Sequence, residues 1–207
     1  MYIDKPLQHY LDDLASDKPT PGGGSASAFS GAMGASLASM VARLTIGKNE
    51  YASVQQEMEQ LLEHTEILRQ RFQQLMQEDI EVYGQLSKSF KMSRNTEDER
   101  AARSAAIQTA LVEAAPVPLE IAEHAAVLLQ YCQRIAEIGN TKVLTDIATA
   151  AVLTASAGTG ASWMVRVNLQ AMKDQELVSE LSDRLGKALE IITECSLEIP
   201  GIVGERS

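Results

Sequence analysis

The chain has few aromatic residues, histidines and cysteines for its length. Aromatic residues make up 4% of its 207 residues, and there are three histidines and two cysteines. His9, His64 and His124 stand far apart, in none of the spacings that form zinc sites, so we expect no bound metal. Cys132 and Cys195 show no C-x-x-C spacing and no neighbouring histidine, which predicts buried, reduced thiols rather than a redox or nucleophilic centre.

Positive charge is also scarce. Eighteen Lys and Arg residues stand against 28 Asp and Glu residues, which gives a net charge of −10 and a pI near 4.8. This balance argues against nucleic acid as a partner, because such binding needs a clustered basic surface, and it makes an anionic membrane surface an unfavourable one. The first residues, MYIDKPLQHYLDDLA, lack the basic segment and apolar core of a secretory signal, so we expect a cytoplasmic protein.

Two long uncharged segments could each be a membrane span or a helix of the protein core. Residues 19–42 and 147–165 carry no charge, and about 20 apolar residues suffice to cross a bilayer. Between Gly22 and Ala42, however, 16 of 21 residues are Gly, Ala or Ser, which lack the hydrophobicity that favours insertion. We therefore expect both segments to be core helices and expect no membrane contact.

Helical spacing dominates the apolar pattern. Apolar residues recur every three or four positions and β-branched runs are short, which predicts an all-α protein. The expected helices cover residues 6–15, 25–46, 49–90, 96–114, 119–138, 141–157 and 174–198; Gly-Thr-Gly at 158–160 interrupts the sixth, which resumes to 168. Thr96 and Glu99 form a capping box, and Pro200-Gly201 is expected to end the last helix. No linker divides the chain, so we predict one domain over residues 1–207, a helical bundle with long helices.

The helix expected at 25–46 has two different sides. Large residues form one stripe and small residues form another, and the small stripe should let a neighbouring backbone approach closely. The large stripe is Phe29, Met33, Leu37 and Met40, and the small stripe is Ser27, Gly31, Ala35 and Ser39. We expect this helix to pack against the one that begins near Thr141, which is also rich in small residues.

Polar residues in apolar surroundings are the candidates for chemistry. Asp146 lies in KVLTDIATAAVLTASAG and precedes 19 uncharged residues, so it is our first candidate for proton transfer. A cap or ion pair at a helix start is the alternative. Asp79 is the second candidate, with Tyr83 one helical turn later, although a solvated acid in QEDIE is equally consistent with the sequence. Asn168 is a polar group on an apolar turn, where an inter-helix hydrogen bond is the alternative.

The stretch PTPGGGSASA at residues 19–28 is a candidate binding loop. Gly22, Gly23 and Gly24 precede a helix start, where backbone N–H groups can meet an anion or a carbonyl, and Ser25 can cap these groups. A tight turn into the helix explains the glycines equally well. Arg43 and Lys48 follow at the other end of that helix, where cations also favour the helix dipole.

Several stretches together resemble one enzyme family. PTPGGGSASAFSGAMGASLASMVARLTIGK is similar to the opening motif of the cyclodeaminase/cyclohydrolase family of folate enzymes. EDIEVYGQL, RAARSAAIQTALVEAAPVPLEIA, GNTKVLTDIATAAVL and VRVNLQAMKD resemble later motifs of that family, in the same order, over nearly the whole chain. The chain departs from the family pattern at Met164, where Asn is frequent, and at Thr145, where Ser commonly precedes the aspartate.

The resemblance implies a dimeric all-helical bundle that acts on a tetrahydrofolate derivative as substrate, with no tightly bound cofactor. Cyclohydrolases of this family open 5,10-methenyltetrahydrofolate to 10-formyltetrahydrofolate, and cyclodeaminases close 5-formiminotetrahydrofolate and release ammonia. Both reactions pass through a tetrahedral carbon between N5 and N10 and need proton transfer there. A chain without a transferase domain favours the cyclohydrolase. A non-catalytic helical dimer on the same scaffold is the alternative from another class.

The matching motifs also supply the expected site residues. Asp146 and Asp79 are expected to be catalytic. The expected substrate-binding residues are Gly22, Gly23, Gly24, Ser25, Arg43, Lys48, Tyr83, Asn140 and Asn168. Arg43 and Lys48 are expected to meet the glutamate tail of the folate, from the same subunit or the facing one.

Overall fold

Seven α-helices form the structure, a computed structural model that describes residues 1–206. They are α1 Leu7–Leu14, α2 Gly23–Thr45, α3 Gln55–Phe90, α4 Glu97–Ala114, α5 Pro116–Ile138, α6 Leu144–Ala171 and α7 Gln175–Arg206. Short 3-10 turns cover Tyr2–Asp4, Asn49–Val54 and Thr141–Val143, and the residues described contain no strand. The all-α prediction is confirmed, while the extent of the domain stays a prediction.

Local signals set several of the helix ends, and the capping box expected at Thr96 is one of them. Thr96 caps α4: its hydroxyl accepts a hydrogen bond from the Glu99 amide at 3.2 Å, and the Glu99 carboxylate accepts one from the Thr96 amide at 3.2 Å. Gly47 follows α2 with a φ of +79°, a left-handed conformation that favours glycine, and turns the chain toward α3. Pro116 opens α5, where the missing N–H would have no partner in any case.

Helix α2 lies between α3 and α6, while α5 packs across α3, α6 and α7. The pair α2 and α6 runs antiparallel, because Gly34 of α2 lies against Ala150 and Thr154, whereas Ser27 near its start lies against Gly160. The predicted pairing of these two small-residue helices is therefore confirmed. It places the start of α2 beside the end of α6.

The small side of α2 is the buried side, because small residues allow the closest helix contacts. A Cβ atom at Gly31 would come within 2.6 Å of the Phe72 ring of α3, and one at Gly34 would come within 3.0 Å of the Ala150 carbonyl of α6. The Ser39 hydroxyl completes this side with a 2.8 Å hydrogen bond to Thr65. The large-residue stripe of α2 is only partly buried.

An outer face of α2 and α6 remains uncovered. Met33 and Leu44 of α2 are 38% and 41% exposed, and Val152 and Trp163 of α6 are 65% and 58% exposed. We call the exposed apolar residues Met33, Leu44 and Val152 of these two helices the outer face. By length and composition the segment Thr141–Ala171 is apolar enough to cross a membrane, and 39% of its most apolar window is buried. One such helix is also typical of the core of a soluble protein.

Two predicted helix ends are wrong, and in both places tertiary packing overrides the local signal. Helix α6 continues through Gly-Thr-Gly, since Gly158 admits Ile192 of α7 and Gly160 admits the Ser27 hydroxyl of α2. Helix α7 continues past Pro200 to Arg206. The Arg206 guanidinium donates to the carbonyls of Ala136 and Gly139, which fixes the last turn of α7 against the end of α5.

Candidate active site

The start of α2 holds the carboxylate of Asp79. Asp79 lies on α3, and the backbone N–H of Ser25 donates a hydrogen bond to it. A Cβ atom at Gly24 would overlap its carboxylate oxygen Oδ1, so only glycine permits this approach. The first turn of a helix carries unpaired N–H groups and a partial positive charge, both of which favour a carboxylate there. The glycine triplet therefore leaves room for the Asp79 carboxylate of α3 to lie against the start of α2.

Burial nonetheless dominates the protonation of Asp79. Loss of hydration raises the pKa of its carboxyl to about 6, and the hydrogen bond from the Ser25 N–H opposes that rise. Desolvation disfavours the charged form of an acid, and one hydrogen bond only partly restores it. A group with a pKa near 6 is present in both protonation states around neutrality, as a proton-transfer residue needs to be.

Tyr10 of α1 supports the turn that meets Asp79. Its side chain is 2% exposed, and its hydroxyl lies 3.2 Å from the Ser25 hydroxyl. The Ser25 hydroxyl also accepts a hydrogen bond from the Gly22 amide at 3.2 Å and donates to the Gly22 carbonyl at 2.9 Å. Ser25 thus caps the start of α2 with its side chain, as predicted, while its own backbone N–H donates a hydrogen bond to Asp79.

A pocket of about 240 Å³ opens next to these groups. Asp79, Tyr83 and Asn168 contribute its polar side chains together with Thr20, and Gly22, Gly23 and Gly24 contribute backbone. The remaining lining residues are Pro19, Val82, Ala114, Pro118, Met164 and Val167. An apolar pocket with a few converging polar groups and one carboxyl of raised pKa is the usual form of a small-molecule site.

Tyr83 and Asn168 present free polar groups to this pocket. Tyr83 lies one helical turn after Asp79 and is 43% exposed. Within residues 1–206, neither the Tyr83 hydroxyl nor the Asn168 amide has a hydrogen-bond partner in the protein. Both groups are therefore available to a ligand that carries donors and acceptors, such as a pterin ring.

Four of the predicted site residues lie elsewhere. Asp146 is half-buried in the first turn of α6, and the pocket residue Met164 follows 18 positions later, about 27 Å along the helix axis. Arg43 is near the far end of α2, where it pairs with Glu66 at 3.2 Å. Lys48 is exposed just beyond it. The pocket lining does not include these side chains.

Asn140 is the fourth, and its contacts are structural. Its backbone N–H donates to the Thr45 hydroxyl at 3.0 Å, its side-chain amide donates to the Leu44 carbonyl at 2.9 Å, and its side-chain oxygen accepts from the Lys142 amide at 3.0 Å. Asn140 therefore joins the end of α2 to the start of α6. This network accounts for a buried polar residue at that position.

Sequence reasoning missed the role of Tyr10, and it ranked Asp146 above Asp79. Asp79 stands in an acidic stretch, so the local sequence carries no sign of its burial. Only the packing of α3 on the start of α2 removes its carboxyl from water. A useful signal was present in the glycines, because a triplet that removes side chains at a helix start indicates that a polar group of another element approaches there.

The other reactive side chains do not form a second centre. Cys132 and Cys195 are buried free thiols, and burial raises the pKa of the Cys132 thiol to about 12. Such a thiol is not a nucleophile at neutral pH. Among residues 1–206, no cluster of three or more His, Cys, Asp or Glu side chains could hold a metal ion.

Comparisons with known proteins agree with this architecture. The chain is 41% identical over 187 residues to the methenyltetrahydrofolate cyclohydrolase of Methylorubrum extorquens, covering 88% of this chain and 89% of that protein. It is 29% identical over 188 residues to the mouse formimidoyltransferase-cyclodeaminase, covering 91% of this chain but only 35% of the mouse protein.

A solved structure and a family model extend the comparison. The crystal structure of formiminotetrahydrofolate cyclodeaminase from Thermotoga maritima superposes with a TM-score of 0.89 at 28% identity, covering 99% of this chain and 98% of that one. The family model described as formiminotransferase-cyclodeaminase matches residues 6–187. The resemblance inferred from the motifs is confirmed: this chain belongs to the formiminotransferase-cyclodeaminase family.

Proposed function

We propose that the protein is an enzyme of folate one-carbon metabolism that hydrolyses 5,10-methenyltetrahydrofolate to 10-formyltetrahydrofolate. The observation that carries this proposal is the Asp79 carboxyl, with a pKa of about 6, at the wall of an apolar pocket that also presents the polar groups of Tyr83 and Asn168. The identity of 41% to a cyclohydrolase over most of both chains favours this reaction among those known in the family.

In the proposed reaction, Asp79 moves protons at the reacting carbon. Its carboxylate accepts a proton from a water molecule as the water oxygen bonds to the carbon between N5 and N10. The resulting tetrahedral carbon carries the new hydroxyl. Asp79 then returns the proton to N5 as the carbon–N5 bond breaks, and the formyl group stays on N10. The hydroxyl proton is released, so one water is consumed and one proton is liberated.

The rest of the pocket would orient the substrate. The Asn168 amide and the Tyr83 hydroxyl offer donors and acceptors to the polar edge of the pterin, and the backbone of Gly22 and Gly23 leaves room for close approach. Val82 and Pro118 cover apolar faces and exclude water other than the reacting molecule. Orientation of this kind contributes much of the rate of a two-reactant step. No tightly bound cofactor is part of the proposal.

A cyclodeaminase is the second candidate. The fold similarity to the Thermotoga maritima cyclodeaminase favours it, since that structure aligns over nearly the full chain. The 5-formimino substrate closes through the same tetrahedral carbon, and Asp79 would then protonate the departing ammonia. One pocket with one titrating carboxyl is compatible with opening of the methenyl ring and with closure of the formimino substrate.

One assay separates these functions. The purified protein is mixed with 5,10-methenyltetrahydrofolate, and the methenyl absorbance is followed; it is then mixed with 5-formiminotetrahydrofolate, and ammonia is measured. We expect the methenyl absorbance to fall well above the spontaneous rate. Ammonia release alone would assign the cyclodeaminase instead. Spontaneous rates in both assays would contradict the enzyme and support a non-catalytic helical dimer.

We also infer a cytoplasmic homodimer that forms through the outer face. Met33, Leu44 and Val152 are exposed on two helices that carry no charge between residues 23 and 42 or between 147 and 165. An apolar surface of this kind is typical of subunit interfaces. Sedimentation at micromolar concentration is expected to give twice the chain mass of 22.4 kDa. Flotation of the protein with lipid vesicles would instead indicate membrane contact.

A further inference from the structure

Tyr10 connects the N-terminal helix α1 to the start of α2. It is the only buried residue of α1, and its ring centroid lies 5.4 Å from that of Tyr2 and 5.7 Å from that of Phe29 on α2. Ser25, which the Tyr10 hydroxyl meets, is fully buried. Packing against two rings fixes the direction of the Tyr10 ring, so its hydroxyl is held in one place beside Ser25.

The hydrogen bond between the two hydroxyls has a defined direction. The Ser25 hydroxyl lies 2.9 Å from the Gly22 carbonyl, which can only accept, so the single Ser25 hydroxyl proton goes there. The same oxygen accepts from the Gly22 amide at 3.2 Å, which leaves it one further lone pair. At 3.2 Å the Tyr10 hydroxyl is therefore the donor to Ser25. Burial raises the pKa of the Tyr10 phenol, and the charge of Asp79 adds to that rise, so this proton stays in place at neutral pH.

Ser25 links Tyr10 to the Asp79 carboxylate. The backbone N–H of Ser25 donates a hydrogen bond to Asp79, and this bond opposes the rise of the Asp79 pKa. The side-chain oxygen of Ser25 is meanwhile held by Gly22 and by Tyr10. A hydrogen-bond chain of this kind keeps the amide aimed at its acceptor, because the residue in the middle cannot rotate without breaking a bond.

Few charged groups compete with this chain of hydrogen bonds. The titratable side chains beside Asp79 are Tyr10 of α1 and Tyr83 of α3. The residues by which α2, α4, α5 and α6 line the pocket are all uncharged. On its other side Tyr10 meets Tyr2, whose hydroxyl donates to Asp13. Burial and the amide hydrogen bond therefore set the proton affinity of Asp79.

We propose that Tyr10 is a positioning residue for the reaction, whose hydroxyl acts through Ser25 to hold the amide that binds the Asp79 carboxylate. Tyr10 does not line the pocket. This assignment deepens the proposed function and rests on it. Without the hydroxyl, Ser25 loses one of the bonds that fix it, and its N–H bond to Asp79 weakens. The carboxyl then holds its proton to a higher pH.

The pH–rate profile of Tyr10→Phe tests this role. The variant keeps the buried ring and removes only the hydroxyl. We expect its acid limb to lie about 0.7 pH unit above the parental position near pH 6, a shift that corresponds to one ordinary hydrogen bond. At pH 6 kcat should thus fall about threefold, while above about pH 8 it stays close to the parental value. A purely structural role would lower the melting temperature and leave the acid limb in place.

Two further variants separate the Tyr10 hydroxyl from its surroundings. Tyr2→Phe is the matched control, because it removes a hydroxyl from the same aromatic cluster, and that hydroxyl donates to Asp13 at 2.8 Å and not to Ser25. It should leave the profile unchanged. In Ser25→Ala the acceptor is gone, so the addition of Tyr10→Phe should shift the acid limb no further. Additive shifts in the double variant would overturn the proposed action through Ser25.

A titration that needs no turnover distinguishes this proposal from the proposed function. The Asp79 carboxyl carbon, isotope-labelled and assigned by its loss in Asp79→Asn, is followed by NMR against pH in the parent and in Tyr10→Phe. We expect a higher Asp79 pKa in the variant. If the parent turns over neither folate substrate, the proposed function fails, and this titration still decides whether Tyr10 holds Asp79. If the parent is active and both proteins give the same Asp79 pKa, only the positioning role fails.

Discussion

At the scale of single residues, Asp79 is governed by two opposing effects. Removal of the carboxyl from water disfavours its charge, while the Ser25 N–H and the helix start favour it. The first effect is larger, so the pKa rises to about 6. The folded protein therefore holds this proton more tightly than the unfolded chain does, and the residue costs stability wherever it is ionised.

Substitution of Asp79 should remove turnover without harming the fold. Asp79→Asn keeps the size and the hydrogen bond from Ser25 but removes the titrating group, so we expect kcat to fall by about a hundredfold or more. Steady-state kinetics on the methenyl substrate measure this. Asp146→Asn is the matched comparison, because Asp146 does not line the pocket, and we expect it to keep most activity. Loss of turnover in Asp146→Asn alone would return the catalytic role to that residue.

The same carboxyl predicts how stability depends on pH. Its pKa is about 6 in the folded protein and 3.8 without the fold, so the folded state binds more protons between these values. Stability from this group therefore falls as pH rises from about 4 to 6, and the full penalty, roughly 3 kcal/mol, is present above pH 6. Calorimetry should show Asp79→Asn to be more stable than the parent at pH 8 and similar to it near pH 4. A lower melting temperature at pH 8 would contradict this.

At the scale of elements, the helix starts and ends show what the sequence can predict. Periodicity identifies the long helices, and local chemistry identifies the cap of α4 at Thr96. The expected break at residues 158–160 and the expected end at Pro200 are wrong, because Ile192, Ser27 and the Arg206 contacts hold those segments helical. The glycines of α6 mark close helix contacts rather than a turn. Local sequence cannot distinguish these uses, since the difference lies in which neighbour approaches.

For the candidate site too, the local sequence does not show which neighbouring helix approaches a residue. The stretch at residues 22–25 was predictable, because adjacent glycines before a helix remove side chains from its N–H groups. Asp79 was identifiable only as one of two acids, since its burial depends on how α3 lies against α2. Asn140 and Asn168 look alike in sequence, as single polar residues near apolar ones. The first ties two helices together and the second faces the pocket.

The start of α2 yields a prediction about one glycine. Gly24→Ala places a methyl group where the Asp79 carboxylate lies, so either that side chain or the turn must move. We expect kcat to fall at least tenfold and the acid limb of the pH–rate profile to shift from its parental position near pH 6. Gly84→Ala on α3, where a Cβ atom meets nothing within 4 Å, is the matched control and should keep full activity. Parental kinetics in Gly24→Ala would show that Asp79 does not act in this position.

At the scale of the whole molecule, the distribution of charge and apolar surface is uneven. Most acidic residues lie on α3, α4, α5 and α7, while the charged residues of α2 and α6 are only Arg43, Asp146 and Arg166. Small residues on the inner side of α2 allow tight packing but bury little area per residue, and its larger side chains remain outside. A second copy of the chain placed against the outer face would cover these side chains and add the missing buried area.

The proposed homodimer should depend on Val152. Val152 lies on the outer face and is 65% exposed, whereas Val112 on α4 is 44% exposed and lies away from that face. Val152→Lys puts two desolvated charges into an apolar interface, so we expect the dimer to dissociate at micromolar concentration. Val112→Lys adds the same charge at another exposed site and should leave the mass unchanged. Sedimentation equilibrium of both variants beside the parent makes the measurement, and a dimer that survives Val152→Lys but not Val112→Lys would place the interface on α4 instead.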